Sequence, residues 1–395
     1  MVVNKLLLLV FRIFLKATLG VWLKFAYNIK ADTSKIEGLK PPFILISNHS
    51  LNWDPFTLPL YINSSVHWMA SDNLFRNKTL AFLLTHIVGA FSKKKVVADM
   101  SSIKTSIKII RRNGIVGVFP EGRRTWNGKH VDSLYATAKF VKLLKVPVVM
   151  CEQRGGYLSR PRWAVKGRRG IMSLKYYVLL DKEQLRGPLD DIHNKINSAI
   201  LYNENEWQKE HMIEFKGKAN AEFLEQYIYI CPKCKSIASL HSYKNEFSCE
   251  KCDYKVTLNN YGIFEGENKY FNDVSQWGEW QYSYIQKYIG NHYHIFTDTN
   301  VIMKTEKSNH GLTKGISGTL SLYRDKMIFK YKNSEMVFEN ISILGNTIQL
   351  NWIFEFYYKG QFRRFYFYPK NRVSAYKWNE VLEYIKQNGG NSDGK

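Results

Sequence analysis

The sequence predicts an α/β domain followed by a small four-cysteine module and a β-rich C-terminal domain. The α/β prediction rests on residues 41–150, where short apolar runs alternate with longer helical patterns. The four-cysteine module is predicted from two CxxC pairs. The β-rich domain is predicted from short segments of alternating apolar and polar residues, separated by turn dipeptides, after residue 317. These features divide the chain into an N-terminal segment, an α/β domain, a cysteine module and a β-rich domain, expected at residues 1–30, 31–225, 226–260 and 261–395.

The charge balance of the chain indicates an anionic partner. Lysine and arginine number 57 against 34 acidic residues, which gives a formal net charge of +23. Nucleic acid and an anionic membrane would both attract such a chain through their phosphates, so charge alone does not distinguish them. Five cysteines in 395 residues argue against a disulfide framework and favour metal ligation in a reducing compartment such as the cytosol.

Residues 5–27 are apolar and aromatic but interrupted by basic side chains, so no run approaches the ~20 apolar residues of a membrane span. At ~100° per residue, Lys5, Arg12 and Lys16 fall on one narrow helical face. This pattern predicts an amphipathic helix in the plane of a membrane, and hence a peripheral protein on its cytoplasmic face. A signal peptide and a plain core helix are the alternatives, although the apolar run is short and no small-residue cleavage site follows.

The first strand of the α/β pattern, residues 43–46, runs into the sequence Asn-His-Ser-Leu-Asn-Trp-Asp-Pro. His49 is followed five residues later by Asp54, and across a tight turn the two can form a His–Asp pair. In such a pair the carboxylate fixes the imidazole tautomer, and the free ring nitrogen takes a proton from a hydroxyl. Taken alone, the motif is more often a capping histidine followed by a turn aspartate before Pro55.

A second strand pattern, residues 116–119, ends in a cationic turn that could hold an anionic substrate. The turn consists of Pro120, Glu121, Gly122, Arg123 and Arg124. Both motifs stand where a strand stops, and the strand ends of such sheets are where functional loops collect. We therefore expect the two motifs to share one site.

NHSLNWD, followed about seventy residues later by FPEGRRT, resembles the motif pair of the glycerophospholipid acyltransferases, which include the 1-acylglycerol-3-phosphate acyltransferases. The resemblance covers roughly residues 40–210. It implies that His49 is the base and that Asp54 orients it. It also implies that the second turn grips the phosphate-bearing acceptor, through Glu121, Gly122 and Arg124, with Arg123 beside them.

A third family element, a glycine with an arginine six residues later, is matched by Gly89 and Lys95. Arginine binds phosphate through two hydrogen bonds, whereas lysine binds it as a point charge. The exchange of arginine for lysine therefore leaves the identity of the acceptor headgroup undecided. A solvated lysine run is the alternative. The family's Val-Pro strand is matched by residues 146–149, and Cys151 after it is expected to be a buried small residue because no base is evident beside it.

The resemblance implies transfer of a fatty acyl group from acyl-CoA or acyl carrier protein to the free hydroxyl of a lysophospholipid. The first candidate acceptor is 1-acyl-sn-glycerol-3-phosphate, giving phosphatidic acid in phospholipid biosynthesis, and another lysolipid is the alternative. The basic, aromatic stretch at residues 154–169 could line an acyl-donor channel or face membrane lipid headgroups.

Cys231 and Cys234 form the first CxxC pair, Cys249 and Cys252 the second, and fourteen residues lie between the pairs. Four thiolates at this spacing can close a tetrahedral zinc site that is structural, since no position is left open. A redox pair is the alternative, although neither motif opens a helix within a βαβ unit. Zinc ribbons also bind nucleic acid, so a nucleic-acid-associated protein is the rival function.

Residues 318–369 contain six or seven strand patterns, preceded by a possible helix near 273–290 and followed by one helix at 374–386. Strands closing on a C-terminal helix resemble a pleckstrin-homology or GRAM-like barrel in pattern. Such modules often bind lipid headgroups or peptides. A packing domain is the alternative, because fold does not fix function.

Overall fold

The computed structural model describes residues 5–75, 78–93, 99–307, 311–367 and 372–389. The chain divides into two compact units, of which the first comprises Met1–Arg162 and Gly167–Gly217, and the second Trp163–Lys166 and Lys218–Lys395. The helices of the first unit are α1 (Lys5–Ala26), α2 (Asp54–Thr57), α3 (Lys78–Leu83), α4 (Met100–Arg111), α5 (Tyr135–Leu144), α6 (Gly156–Ser159), α7 (Leu189–Ile200) and α8 (Glu204–His211). Its strands are β1 (Ile29–Lys35), β2 (Phe43–Ser47), β3 (Val66–Ser71), β4 (Phe91–Lys93), β5 (Ile115–Val118), β6 (Val148–Arg154) and β7 (Met172–Leu180).

The seven strands of the first unit form one sheet in the order β1-β7-β6-β2-β5-β3-β4. Strand β2 lies near its centre and pairs in parallel with β5 on one side and β6 on the other. All five residues of β2 are buried, as expected of a parallel strand covered on both faces. Leu45 belongs to one hydrophobic cluster, whereas Ile44 and Ile46 belong to another, so the sheet has a core on each side.

The predicted α/β layout is confirmed over residues 41–150, with two additions outside it. The expected helix near 101–112 is α4, whose N-terminus is capped by the Asp99 carboxylate accepting from the amides of Ser101 and Ser102. The expected helix near 132–144 is α5, which begins later because Leu134 is extended. Strands β1 and β7 were not predicted. They complete the sheet beyond β6, with β7 antiparallel to β6 and β1 parallel to β7.

The N-terminal segment is helical, as α1. Its outer side chains include Phe14, Trp22 and Phe25, the last 75% exposed, while Leu23 is fully buried in the core. Within the described ranges, no helix combines the length and apolar character needed to cross a bilayer. The side chains of Lys5, Arg12 and Lys16 lie outside the described part of the structure, so the basic face stays a prediction.

The described residues of the second unit form two sheets and two α-helices. Its helices are α9 (Val274–Asn291) and α10 (Ala375–Gly389). Its strands are β8 (Leu240–Tyr243), β9 (Glu246–Cys249), β10 (Lys255–Leu258), β11 (Phe264–Glu265), β12 (His294–Thr305), β13 (Ile316–Tyr323), β14 (Lys326–Tyr331), β15 (Ser334–Glu339), β16 (Ile343–Gln349), β17 (Ile353–Tyr358) and β18 (Gln361–Tyr366).

The second unit confirms the predicted β-rich C-terminal region. Strands β8–β11 form a small sheet around the cysteines, and β12–β18 form a seven-stranded antiparallel sheet in the order β15-β14-β13-β12-β18-β17-β16. Helix α9 matches the helix expected near 273–290. Helix α10 buries Trp378, Val381 and Leu382 and is tied to β12 by Asp298, which accepts from Lys377 Nζ and Trp378 Nε1 at 2.7 Å each.

Candidate active site

His49 follows the end of β2, and Asp54 begins α2 across the predicted tight turn. His49 Nδ1 lies 2.7 Å from Asp54 Oδ2, and Asp54 is fully buried. The same oxygen accepts from the backbone amides of Ser50 and Leu51, each at 2.9 Å. A carboxylate oxygen can only accept, so Nδ1 carries the shared hydrogen and Nε2 is left as the basic nitrogen.

The other carboxylate oxygen of Asp54 is held by a residue that sequence reasoning missed. Gln153 Nε2, from β6, donates to Asp54 Oδ1 at 2.9 Å across 99 sequence positions. The Asn48 side chain clamps the Gln153 backbone from both sides, accepting from its amide at 2.9 Å and donating to its carbonyl at 3.0 Å. The turn that carries His49 and Asp54 is therefore bonded to the neighbouring strand β6 immediately beside Asp54.

The imidazole ring of His49 is part of an aromatic stack. The His49 ring lies 3.9 Å from that of Phe119 at 12°, and Phe119 in turn stacks on Trp68 at 4.7 Å. Burial lowers the pKa of His49 below its ordinary 6.5 despite the Asp54 carboxylate, and the charges of Arg124 and Arg162 lower it further. The ring is therefore neutral at pH 7 and able to accept a proton. Its side chain remains 19% exposed.

Glu121 joins the two motifs. Its Oε2 accepts from the His49 backbone amide at 2.6 Å and its Oε1 from the Val131 amide at 3.2 Å. Burial raises the pKa of Glu121 to about 8. The structure thus brings the motifs together as expected. The carboxyl of Glu121 points into the protein and braces the loop that carries His49.

Gly122 beside it has a left-handed backbone, at φ +66°. A Cβ at this position would lie 2.9 Å from Leu134 Cδ1, so the turn needs glycine for both its backbone and its packing.

Two arginines lie together at the cationic turn. Arg162 Nη1 donates to the Arg124 carbonyl at 3.2 Å, and the Arg162 guanidinium lies 4.2 Å from the centre of the Trp126 ring. Burial lowers the pKa of Arg124 to about 10, which leaves it charged at neutral pH. Arg123 is exposed. The stretch containing Arg162 was expected to line a donor channel or to face lipid headgroups, because nothing in its spacing ties Arg162 to the turn.

Gly89, from the third motif, lies at a different place. It ends a π-helical turn with φ +75°, and its carbonyl lies 3.1 Å from His67 Nδ1. It lines an apolar cavity of about 140 Å³ between α1, the segment after α2 and the π-helical turn. A cavity of this size holds a benzene-sized apolar group. Lys95, its expected partner in phosphate binding, lies outside the described residues.

Cys151 is fully buried at the end of the sheet core, as expected. Burial raises the pKa of its thiol far above the ordinary range, so the thiolate needed for nucleophilic attack does not form at neutral pH. Its carbonyl accepts from Ser47 Oγ at 2.6 Å.

The four cysteines of the module converge in the second unit. Their sulfur atoms all lie within 4.8 Å of one another. The Cys231–Cys252 and Cys234–Cys249 sulfur pairs are each separated by 3.7 Å. Tetrahedral zinc with Zn–S bonds of ~2.3 Å requires sulfur separations of ~3.8 Å, whereas a disulfide requires ~2 Å. The cluster therefore has the composition and spacing of a structural zinc site.

Part of the first unit is similar to known acyltransferases. Residues 27–151 match the family model described as Acyltransferase. The 1-acyl-sn-glycerol-3-phosphate acyltransferase of Bacillus subtilis (strain 168) is 32% identical over 129 residues, which are 32% of this chain and 59% of that protein. The chain thus spans about three fifths of the length of this curated relative.

Two solved structures are also similar in part. The 1-acyl-sn-glycerophosphate (LPA) acyltransferase PlsC from Thermotoga maritima is 16% identical with a TM-score of 0.40, over 51% of this chain and 87% of that chain. The inner membrane complex sub-compartment protein 3 of Toxoplasma gondii is 13% identical with a TM-score of 0.19, over 27% of this chain and 86% of that chain.

The family match begins before β1 and ends at Cys151, so it contains the His49–Asp54 pair and the turn from Glu121 to Arg124. These are the residues whose motifs resemble the glycerophospholipid acyltransferases. Residues 27–151 of this chain are therefore similar to the acyltransferase family, and the matched region contains both motifs.

Proposed function

We propose that the protein transfers a fatty acyl group from a thioester to the free hydroxyl of a lysophospholipid, with 1-acyl-sn-glycerol-3-phosphate as the first acceptor to test. The observation that carries this proposal is the His49–Asp54 pair, 2.7 Å apart, with Asp54 fully buried and the His49 amide bonded to Glu121 of an arginine-bearing turn. The name of the Bacillus subtilis relative supports the same acceptor. The product would be phosphatidate, made in phospholipid biosynthesis.

The proposed reaction needs one base and no covalent intermediate on the protein. His49 Nε2 takes the proton of the acceptor hydroxyl as its oxygen attacks the thioester carbonyl. The tetrahedral intermediate collapses, the C–S bond breaks, and the departing thiolate recovers the proton from the imidazolium. The carboxylate of Asp54 stabilises the imidazolium between the two transfers. Acyl-CoA and acyl carrier protein are both chemically suitable donors.

The acceptor phosphate is assigned to the cationic turn. Arg124 and Arg162 are held together by a hydrogen bond and by the stacking of Arg162 on Trp126. Guanidinium groups match phosphate in charge and in bidentate geometry. Gly122 shapes this turn, and Arg123 and Lys95 are kept as further phosphate contacts on sequence grounds. Gly89 is kept as a substrate-binding residue that lines the apolar cavity.

The apolar cavity beside α2 is proposed to receive part of an acyl chain. Its apolar lining comes from α1, α2 and the segment after it, β3 and the π-helical turn, and includes Leu19, Leu23, Phe56, Leu60, Val66 and Val88. A volume of about 140 Å³ accommodates only a few methylenes, so the rest of the chain would lie outside it.

We propose that the protein is a peripheral membrane protein on the cytoplasmic face of a membrane. The exposed aromatic side chains of α1 and the net charge of +23 support contact with an anionic lipid surface. The four-cysteine cluster is assigned a structural zinc ion.

The enzyme assay follows release of free thiol from acyl-CoA, or from acyl carrier protein, with and without lysophosphatidate in vesicles. Acceptor-dependent thiol release with formation of phosphatidate supports the proposal. Release without acceptor indicates a thioesterase, and no release with either donor indicates a lipid-binding scaffold. Monoacylglycerol, which lacks the phosphate, is the matched acceptor for testing the arginine assignment.

The rival function is nucleic-acid association, favoured by the net charge and the zinc-type cluster. It predicts single-stranded RNA or DNA binding that weakens steeply with salt. Co-sedimentation with anionic vesicles, in the absence of such binding, would exclude it.

A further inference from the structure

The least expected polar residue in the site is Gln153, which is fully buried at the end of β6. No acyltransferase motif in the sequence includes it. Its side chain reaches one functional group, the carboxylate of Asp54, through the Nε2–Oδ1 hydrogen bond of 2.9 Å.

We propose that Gln153 is a positioning residue that holds the Asp54 carboxylate in the one rotamer that presents Oδ2 to His49. This inference rests on the proposed function. It adds a residue from a strand about one hundred positions away to a catalytic pair that is otherwise confined to one turn.

The two carboxylate oxygens of Asp54 have unequal support. Oδ2 receives three donors, from His49 Nδ1 and from the amides of Ser50 and Leu51. For Oδ1, the donor that the structure describes is Gln153 Nε2. Removing it would leave a buried anionic oxygen without that hydrogen bond, which favours rotation or protonation of the carboxylate. Either change weakens the bond to His49.

Gln153 is itself fixed and oriented. The Asn48 side chain bonds both backbone groups of Gln153, so the residue cannot slide along β2. Gly156 leaves the space that its amide needs, because a Cβ at residue 156 would lie 2.2 Å from Gln153 Oε1. An ionised carboxylate cannot donate, so the amide must turn its nitrogen towards Asp54.

The Gln153 amide has no ionisable group, so it can donate to Asp54 Oδ1 at every pH. Glutamate would also reach Asp54, but only while protonated, as an acid donating to Oδ1. Once it ionised, two buried carboxylates would face each other, which disfavours the second ionisation until roughly pH 8–9. Gln153→Glu should therefore act normally at low pH and fail at high pH.

The test compares Gln153→Leu and Gln153→Glu with Gln208→Leu. Gln208 is an equally buried glutamine of the same unit, and its amide bonds the backbone of Ile213 instead of an ionisable group. With the full-length chain, acyl-CoA and lysophosphatidate, we expect Gln153→Leu to lower kcat by roughly 10–100-fold with KM changed less than threefold, by analogy with other groups that orient a functional ligand. Gln208→Leu should leave both constants unchanged.

The pH profile supplies a readout that loss of structure alone would not give. Wild-type kcat/KM should rise with pH to a plateau as His49 loses its proton. The Gln153→Glu profile should rise in the same way and then fall on the alkaline side. A Gln153→Leu enzyme with wild-type kcat, or a Gln153→Glu profile of wild-type shape, overturns the proposal. If Gln153→Leu does not fold, the Gln153→Glu profile decides.

A second measurement separates this inference from the proposed function. The low-field proton resonance of the His49–Asp54 hydrogen bond reports positioning without turnover. We expect it to shift or broaden in both Gln153 variants and to remain in Gln208→Leu. If wild type transfers no acyl group yet this resonance responds, the proposed function fails and the positioning role stands. An unchanged resonance in both Gln153 variants refutes the role.

Discussion

Replacing Asp54 by asparagine removes one charge and almost no volume, and the structure determines how the new amide must lie. Three donors converge on the Oδ2 position and one on Oδ1. The asparagine oxygen must therefore take the Oδ2 position, which turns its NH2 group towards Gln153. Among the described residues, Gln153 Oε1 has no hydrogen-bond partner, so that amide can turn over and accept from the new NH2 group. We expect the fold and the His49 tautomer to survive.

The cost of Asp54→Asn therefore falls on the charge. A neutral acceptor stabilises the imidazolium less than a carboxylate does, since hydrogen bonds to charged groups contribute about 1.5–3 kcal/mol and neutral ones about 1 kcal/mol. Burial strengthens this difference because the local dielectric is low. The difference of up to ~2 kcal/mol alone corresponds to roughly 30-fold in rate, and the low dielectric increases it. We therefore expect turnover to fall by roughly 10²–10³, below the ~10⁴ loss that follows when asparagine imposes the wrong tautomer.

The assay measures kcat and KM for acceptor-dependent thiol release, together with the melting temperature. Asp32→Asn, at an exposed aspartate of β1, is the matched control and should leave turnover unchanged. An Asp54→Asn enzyme that stays folded and turns over within threefold of wild type would refute the assigned role. A fall in melting temperature that accounts for the lost activity would show that Asp54 is structural.

Three further predictions concern the metal, the pH dependence of stability and the membrane. Cys252→Ser should abolish binding of one zinc per chain, measured by metal analysis, and lower stability before activity; full activity loss in a folded variant would contradict this. Burial raises the pKa of Glu204 from 4.5 to about 8, so the folded state keeps a proton that the unfolded state has lost and stability falls as pH rises through this window. The melting temperature of Glu204→Gln should therefore exceed that of wild type by an amount that grows from pH 5 to pH 8, whereas the exposed Glu206→Gln should show no such trend. A difference that stays constant with pH would contradict the pKa assignment of Glu204. Removal of residues 1–27 should release the protein from anionic vesicles and lower activity on bilayer substrate more than on detergent-dispersed substrate; unchanged sedimentation would move the attachment site elsewhere.

The parts of the site that sequence reasoning found are those encoded locally. His49 and Asp54 are five residues apart, and one turn brings them together. Glu121 was expected to shape the phosphate-binding turn, and its bond to the His49 amide, 72 positions away, was not predicted because it depends on β5 lying beside β2. The zinc-type cluster, in contrast, follows from two CxxC pairs.

Gln153 and Arg162 could not be found in this way. Their positions depend on β6 lying beside β2, a strand order that the hydrophobic pattern does not specify. A single polar residue at a strand end has no periodicity, and an arginine in a basic stretch resembles its solvated neighbours. Strand β1 was missed for a related reason: its sequence is mostly polar, and most of its residues are not buried.

The proposed acyl transfer is tested most directly by comparing wild type with His49→Ala in two measurements on the same preparations. One is acceptor-dependent release of thiol from the acyl thioester, and the other is the Kd for lysophosphatidate. The base acts on the hydroxyl in the transition state and contributes little to ground-state binding, so His49→Ala should lose transfer by roughly 10²–10⁴ and keep Kd within about threefold. Transfer at the wild-type rate, or loss of lysophosphatidate binding in step with activity, would contradict the assignment of His49 as the base.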